Sequence, residues 1–386
     1  MKSYDAHLAD CRTLLTRRGP MRVPALDSAG MELAEAVFAT MPFPAFDSSA
    51  MDGYAVRIAD VPGRLRIIGE VAAGQWPQVE LRPGTAVRIM TGSPLPAGTE
   101  AVVRVEDTTE AGEEVQVGVP TETGRYLRRV GDDVATGDVV LAAGQVVGPA
   151  QIAALAAHNV ATVSVYPRPR VAIVSTGEEL VGHGSTPGPA QLVDSNGPGL
   201  AAAVTAAGGE VVHVSIVGDA PDHFMAAMDG LPDPDLIITS GGISMGAYDV
   251  VKASLADHGV RFETIAMQPG KPQAWGRYRD RAAFLGLPGN PVSALVSFEL
   301  FGRAVLGCER PVSTATLHDP VDRSPGGIRQ FLRGRLVDRQ VRLVSGPDSH
   351  LVAGLARANC LVVVAEEVDA LPAGADVPVV LMATSG

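Results

Sequence analysis

The stretch Thr239-Ser-Gly-Gly-Ile-Ser-Met-Gly-Ala-Tyr-Asp249 follows an apolar run, Asp235 to Ile238, and stands where a helix should begin. A buried strand that empties into a glycine turn and then a helix is how an α/β layer builds an anion site. Gly241, Gly242 and Gly246 allow positive φ and close approach of the backbone to a ligand, and N–H groups at a helix start favour negative charge. Asp249 would repel a phosphate held there unless a divalent cation bridges the two. Taken alone, the stretch also reads as a plain strand-to-helix turn with an acid in the first helical turn.

The same alternation extends on both sides. After Pro167-Arg168-Pro169, a stiff hinge, strands are expected at Arg170 to Val174, Val211 to Val217, Leu236 to Thr239, Phe262 to Ala266, Gln273 to Trp275 and Ala282 to Leu287. Helices are expected near Gly199 to Ala207 (capped around Asp194 to Asn196), Asp222 to Met228, Tyr248 to His258 and Val292 to Leu306. This pattern predicts parallel, doubly wound βαβ layers whose ligand lies beyond the carboxyl ends of the strands. The turns bearing Glu179, Asp219, Gly241, Asp249 and Asn290 all follow strand ends, so one crevice can collect them.

Elsewhere the texture differs. Residues 1 to 40 read as helical, through Leu8, Leu14 and Leu15 and then Ala29 to Ala39, with Asp27 or Ser28 as a cap. Residues 46–143 carry short β-rich runs between Pro/Gly turns (Leu65 to Ile68, Ala86 to Met90, Ala101 to Val105, Glu114 to Val119) and read as an inserted β-rich domain. A helix at Ala150 to His158 and a strand at Thr162 to Val165 follow. From Pro311 alternation returns, at Arg333 to Val337, Val341 to Leu343, Leu361 to Val364 and Val377 to Leu381. The expected organisation is therefore α/β and multidomain: residues 1–45 and 144–168 as a small helical or mixed linking region, 46–143 β-rich, 169–310 α/β, and 311–386 a C-terminal β domain.

A formal charge of −12 argues against a broad nucleic-acid or acidic-membrane surface, so an anionic ligand must be met locally. Lys2, Lys252 and Lys271 are the only lysines, which draws attention to Lys271 inside a Gly-Lys-Pro turn. Cys11, Cys308 and Cys360 show neither paired nor CxxC spacing, which fits the reducing cytosol. Residues Met1 to Leu15 lack an uninterrupted apolar core, and no apolar run approaches spanning length, so neither a signal peptide nor membrane insertion is expected.

Three further segments carry polar groups on turns. Asp47-Ser-Ser-Ala-Met-Asp-Gly-Tyr-Ala55 either caps a turn or presents Asp52 to a ligand or metal. Gln268-Pro-Gly-Lys-Pro272 places Lys271 between residues of restricted and free φ, as a point charge for an oxyanion. Leu287-Pro-Gly-Asn-Pro-Val-Ser293 is a similar turn ahead of a helix.

Together with Arg88-Ile-Met-Thr-Gly92, Val174-Ser-Thr-Gly-Glu-Glu-Leu180 and Asp194-Ser-Asn196, these segments resemble, in order and wording, the MoeA family and the E domain of gephyrin. The resemblance covers nearly the whole chain. It implies a cytoplasmic molybdopterin molybdotransferase that takes adenylylated molybdopterin and molybdate, cleaves the adenylate with Mg²⁺ and leaves molybdenum on the dithiolene. It also implies a homodimer with sites shared between subunits, downstream of a molybdopterin adenylyltransferase. By motif, Asp52, Thr91, Glu179, Asp219 and Asp249 would be catalytic, the last three as metal ligands. Ser240, Gly241, Gly242, Ser244, Gly246, Gln268, Lys271, Pro288, Pro291, Ser293 and Arg333 would bind substrate. Two departures reduce the cationic complement: Gln268 stands where many members have lysine, and the paired arginines appear as Ile328-Arg329 and Arg333, with only Arg333 in register. The alternative implied is a gephyrin-like dimeric scaffold for a protein partner, with weak or no insertase activity.

Overall fold

The computed structural model describes residues 1–243 and 249–382. Two compact units result: Met1–Gly19 with Pro167–Gly386, and Pro20–Tyr166. The chain passes between them twice, at Gly19-Pro20 and at Tyr166-Pro167, the latter at the start of the Pro167-Arg168-Pro169 segment of restricted φ.

In the first unit, helix α1 (Tyr4–Arg12) starts at Ser3, whose hydroxyl accepts from the Ala6 amide. The α/β layer then runs β1 (Arg170–Thr176), α2 (Asn196–Ala206), β2 (Glu210–Val217), α3 (Pro221–Asp229), β3 (Leu236–Ser240), α4 (Val250–Leu255), β4 (Val260–Thr264), β5 (Pro272–Tyr278), β6 (Ala282–Leu287) and α5 (Pro291–Ser297). Sheet order is β2-β1-β3-β6-β5-β4. Side chains alternate across it. Val171 and Ile173 of β1, Ile238 of β3 and Leu285 of β6 pack with α1, α2 and α5, while Val174, Ile237 and Phe284 pack with α3 and α4. Burial on both faces is what near-continuous apolar strands demand.

The sheet is not wholly parallel, contrary to the sequence pattern. Strands β2, β1, β3 and β6 are parallel, but β5 pairs antiparallel with both β6 and β4. The cause is the short link from β5 to β6. Arg279 and Asp280 take φ of 49° and 55°, the conformation of a tight hairpin, and so short a link cannot make a parallel crossover.

Downstream of α5 the helix passes through a π turn at Phe298–Gly302, where any Cβ on Gly302 would strike the Phe298 ring at 2.4 Å. The C-terminal strands Val312–Leu317, Arg329–Val337, Gln340–Leu343, Cys360–Val364 and Asp376–Leu381 close into a ring, with Met267–Gln268 added beside Arg329–Val337.

The second unit holds a six-stranded sheet from Gly53 to Val117 and a three-stranded sheet of Met21–Pro24, Thr162–Tyr166 and Glu32–Leu33. The helix expected over Ala29 to Ala39 is absent. Gly30 turns the chain at φ 77°, after which Glu32–Leu33 pairs with Val165–Tyr166 and Val37–Phe38 with Val139–Leu141. Strand pairing overrides the alanine-rich helical spacing. No helix among the described residues is long and apolar enough to cross a membrane.

His7 of α1 is fully buried against Phe301, ring centroids 4.5 Å apart. Burial first, and the Lys2 charge second, push its imidazole down from 6.5 to about 4. Below pH 6.5 the unfolded chain takes up a proton that the folded one refuses until about pH 4, so this group lowers stability as pH falls through that window. The gap corresponds to about 3 kcal/mol at its limit. In urea titrations, His7→Leu should therefore lose less stability than the parent between pH 6.5 and 4. Parallel pH profiles for the two proteins would rule this out.

Candidate anion crevice

Parallel pairing brings the carboxyl ends of four strands to one edge. Thr176 of β1 lies level with Val217 of β2, Ser175 with Ser240 of β3, and Ser240 with Leu287 of β6. Because β5 runs the other way, with Ala274 opposite Gly286, its amino end comes to that same edge and carries the Gln268–Lys271 turn with it. The antiparallel hairpin thus brings Lys271 to the rim where the glycine turn emerges.

The glycine turn is fixed by its neighbours. The Gly241 amide donates to the Leu287 carbonyl at 3.0 Å, and the Thr176 hydroxyl donates to the Ser240 carbonyl at 3.3 Å. Gly241 and Gly242 take φ of 93° and 65°, and a Cβ on Gly241 would lie 2.7 Å from the Thr176 carbonyl oxygen. Ser240 is buried, and its hydroxyl donates to the Pro288 carbonyl at 3.3 Å. The Asn196 carboxamide donates to Ser240 Oγ and to the Gly289 carbonyl, both at 2.7 Å. Asp194 caps α2 by accepting from the amides of Asn196 and Gly197 at 2.9 and 3.0 Å. Ser244 and Gly246 lie outside the described residues.

Carboxylates gather at the ends of β1 and β2. The Glu178 amide donates to Asp219 and the Asp219 amide donates to Glu178, at 3.3 and 3.0 Å. Sequence reasoning singled out Glu179 and passed over Glu178, although both sit in one turn. The Glu179 carboxylate lies over the backbone of Gly177, 2.5 Å from where a Cβ would stand. Asp249 is half-buried ahead of α4, and its carbonyl accepts from the Ala253 amide. Among the described residues no group of three or more His, Cys, Asp or Glu side chains is placed to hold a metal ion unaided.

The remaining rim residues differ in what they have left to offer. Lys271 is exposed. Gln268 is half-buried, and its carbonyl oxygen accepts from the carboxamide of buried Gln330 at 3.2 Å. Pro288 is buried before the turn, Pro291 opens α5 at the position where its missing N–H costs nothing, and Ser293 is buried in the first turn. Asn290 donates to Ser349 Oγ at 2.8 Å, and the Val292 amide donates to the Ser349 carbonyl. Arg333 is 3% exposed and donates to Ser345 Oγ and to the carbonyls of Asp348 and Gly346. Burial lowers its affinity for its proton, an effect that the nearby Asp348 opposes. Arg329 is paired with Asp5 and Glu366 and lies over the Tyr4 ring. Both arginines are committed to holding structure together.

In the second unit, Asp52 and Thr91 form one feature. The Thr91 amide and hydroxyl both donate to Asp52 Oδ1, at 2.6 and 2.7 Å. These two bonds, the amide's first, hold the exposed carboxyl below its ordinary range.

Family models match along most of the chain: the MoeA N-terminal region (domains I and II) over residues 2–158, a probable molybdopterin-binding domain over 172–307, and the MoeA C-terminal region (domain IV) over 314–382. Molybdopterin molybdenumtransferase 2 of Mycobacterium tuberculosis is 41% identical over 98% of this chain and 99% of its own length. Molybdopterin molybdenumtransferase 1 of the same organism is 36% identical over the full length of both. A crystal structure of the molybdopterin biosynthesis MoeA protein of Pyrococcus horikoshii superposes with a TM-score of 0.80 at 30% identity, covering 99% of each chain.

Proposed function

We propose, on the premise that this chain belongs to the MoeA family of molybdopterin molybdenumtransferases, that its crevice takes adenylylated molybdopterin and molybdate and releases AMP. Membership makes it a transferase of molybdenum cofactor biosynthesis. The finer reading is carried by one observation: the glycine turn, the carboxylate pair, the Lys271 turn and the proline turn all emerge at one edge of the sheet.

Each group has a chemical task in that reading. Gly241 and Gly242 let the backbone approach the pterin phosphate. Lys271 offers a compact positive charge to an oxyanion, and the turn from Pro288 to Ser293 seats it. Mg²⁺ is commonly held by one or two carboxylates together with substrate phosphates, and the oxygen donors of Glu178, Glu179, Asp219 and Asp249 suit that mode. When bound, the ion neutralises charge at the phosphorus. Arg333 acts at one remove, by holding the loop whose Ser349 engages Asn290 and Val292. Positioning of molybdate or water against the phosphoanhydride supplies the rest of the rate.

The reading extends to a cytoplasmic homodimer fed by a molybdopterin adenylyltransferase, with Asp52 and Thr91 serving a partner's crevice. Support comes from the large apolar side chains exposed on the second unit, among them Phe38, Phe43 and Trp76, the last 68% exposed. A monomer mass by light scattering at micromolar concentration would remove the dimer. For the reaction, purified protein is mixed with adenylylated molybdopterin, molybdate and Mg²⁺, and AMP release is followed. No AMP above the protein-free control would leave the scaffold alternative in its place.

Gln268→Lys is expected to tighten molybdate binding about tenfold, with the gain shrinking as salt rises. A charge pair at about 4 Å is worth roughly 4 kcal/mol at an effective dielectric near 20, and about a third survives desolvation. The half-buried setting of residue 268 is consistent with such a partial gain. Calorimetric titration of both proteins checks it, and equal affinities would mean that residue 268 does not face the oxyanion.

A further inference from the structure

We infer that Asn196 is a positioning residue, whose carboxamide ties the glycine turn after β3 to the proline turn after β6 and so sets the width of the crevice. The inference rests on the functional reading above only in naming the ligands that the crevice receives. Both amide hydrogens of Asn196 are in use, one on Ser240 Oγ and one on the Gly289 carbonyl. These acceptors belong to different strands' turns, 49 residues apart in sequence, and each turn supplies a different part of the proposed site.

The side chain is held from behind as well. Asp194 accepts from the amides of Asn196 and Gly197, so the first turn of α2 is fixed before its side chain reaches across. The Ser240 hydroxyl, receiving the Asn196 hydrogen, is left to direct its own toward the Pro288 carbonyl, which adds a second stitch between the turns. A Cβ on Gly289 would make an ordinary 3.5 Å contact with Gly241 Cα, and the Gly241 amide donates to the Leu287 carbonyl, so the two turns lie side by side where the tie is made.

The other half of the carboxamide marks this as a positional choice. Asn196 is 8% exposed, and its Oδ1 is buried with no hydrogen-bond partner among the described residues. An unpaired buried acceptor is costly, and an apolar side chain of similar size would avoid it. Two donors reaching two turns are what an apolar side chain cannot supply.

The test uses Asn196→Ala and the isosteric Asn196→Asp, which fills the same volume but offers no donor to Gly289. Hydrogen exchange is read in the 239–242 and 287–290 segments, alongside calorimetric affinities for molybdopterin and for molybdate. Exchange should rise in both segments together, and both affinities should fall about tenfold, in each variant. Parent-level exchange in either segment overturns the tie whatever the ligands do. Raised exchange with unchanged affinities overturns the positioning role, since the tie would then serve stability alone. A parent protein that binds neither ligand would overturn the functional reading instead, and the exchange arm would still decide whether Asn196 joins the turns.

Discussion

Replacing Asp249 by alanine is expected to cut Mg²⁺-dependent AMP release about a thousandfold, equivalent to about 4 kcal/mol of barrier, while the protein stays folded. The two halves of that expectation have separate grounds. Asp249 precedes α4 at the far end of the glycine segment, its side chain makes no capping hydrogen bond to the helix, and its carbonyl, which accepts from Ala253, survives the substitution. Its carboxylate is among the rim oxygens proposed to neutralise charge at the phosphorus. Single-turnover AMP release across a Mg²⁺ titration, with circular dichroism as the folding control, measures both. Release at the parent rate would remove Asp249 from the site.

Gly241→Ala is expected to cost about 3–5 kcal/mol of stability, because backbone strain and overpacking add at one atom. A Cβ there would lie 2.7 Å from the Thr176 carbonyl oxygen and 2.9 Å from its hydroxyl, at a φ of 93°. Thr176 ends a strand paired on both sides within the central sheet, so it cannot retreat. Gly289→Ala is the internal control. Its Cβ would make an ordinary 3.5 Å contact with Gly241 Cα, and the cost should stay below about 1 kcal/mol. Urea denaturation of the two variants gives the comparison, and equal midpoints would mean that the glycine turn yields freely.

What the sequence made legible follows from how local each signal was. The central strands Arg170–Thr176, Leu236–Ser240 and Ala282–Leu287 showed because they are buried and nearly continuous in apolar residues, and the rim residues showed because glycine and proline punctuate strand ends. The antiparallel hairpin did not show, because the expected strand ended at Trp275 rather than Tyr278, which hid how short the link to Ala282 is, and the Arg279-Asp280 pair lacks the glycine that usually marks a tight hairpin. The Ala29 to Ala39 segment misled for the opposite reason. Its spacing suited a helix, while its fate depended on pairing with residues more than a hundred positions away. Glu178 was hidden beside Glu179 because adjacent acids cannot be ranked without knowing which one faces Asp219. Arg333 was legible as a cation but not as a buried one. Whether an arginine meets a ligand or three backbone and hydroxyl oxygens is settled by a loop that periodicity does not reveal.

The C-terminal ring of strands shares its apolar interior with the α/β layer. Phe331, Leu361 and Val380 from the ring lie in one continuous cluster with Ile173 and Leu285 of the central sheet and with Tyr4 and Cys11 of α1. Such continuity couples the two structurally distinct layers into one cooperative folding block, even though the family models divide the chain between residues 307 and 314. Cutting there would open a fresh apolar wound on each fragment, and the loop that steadies Asn290 would leave with the ring. The unit of inheritance along the sequence and the unit of cooperative stability are therefore not the same length in this chain.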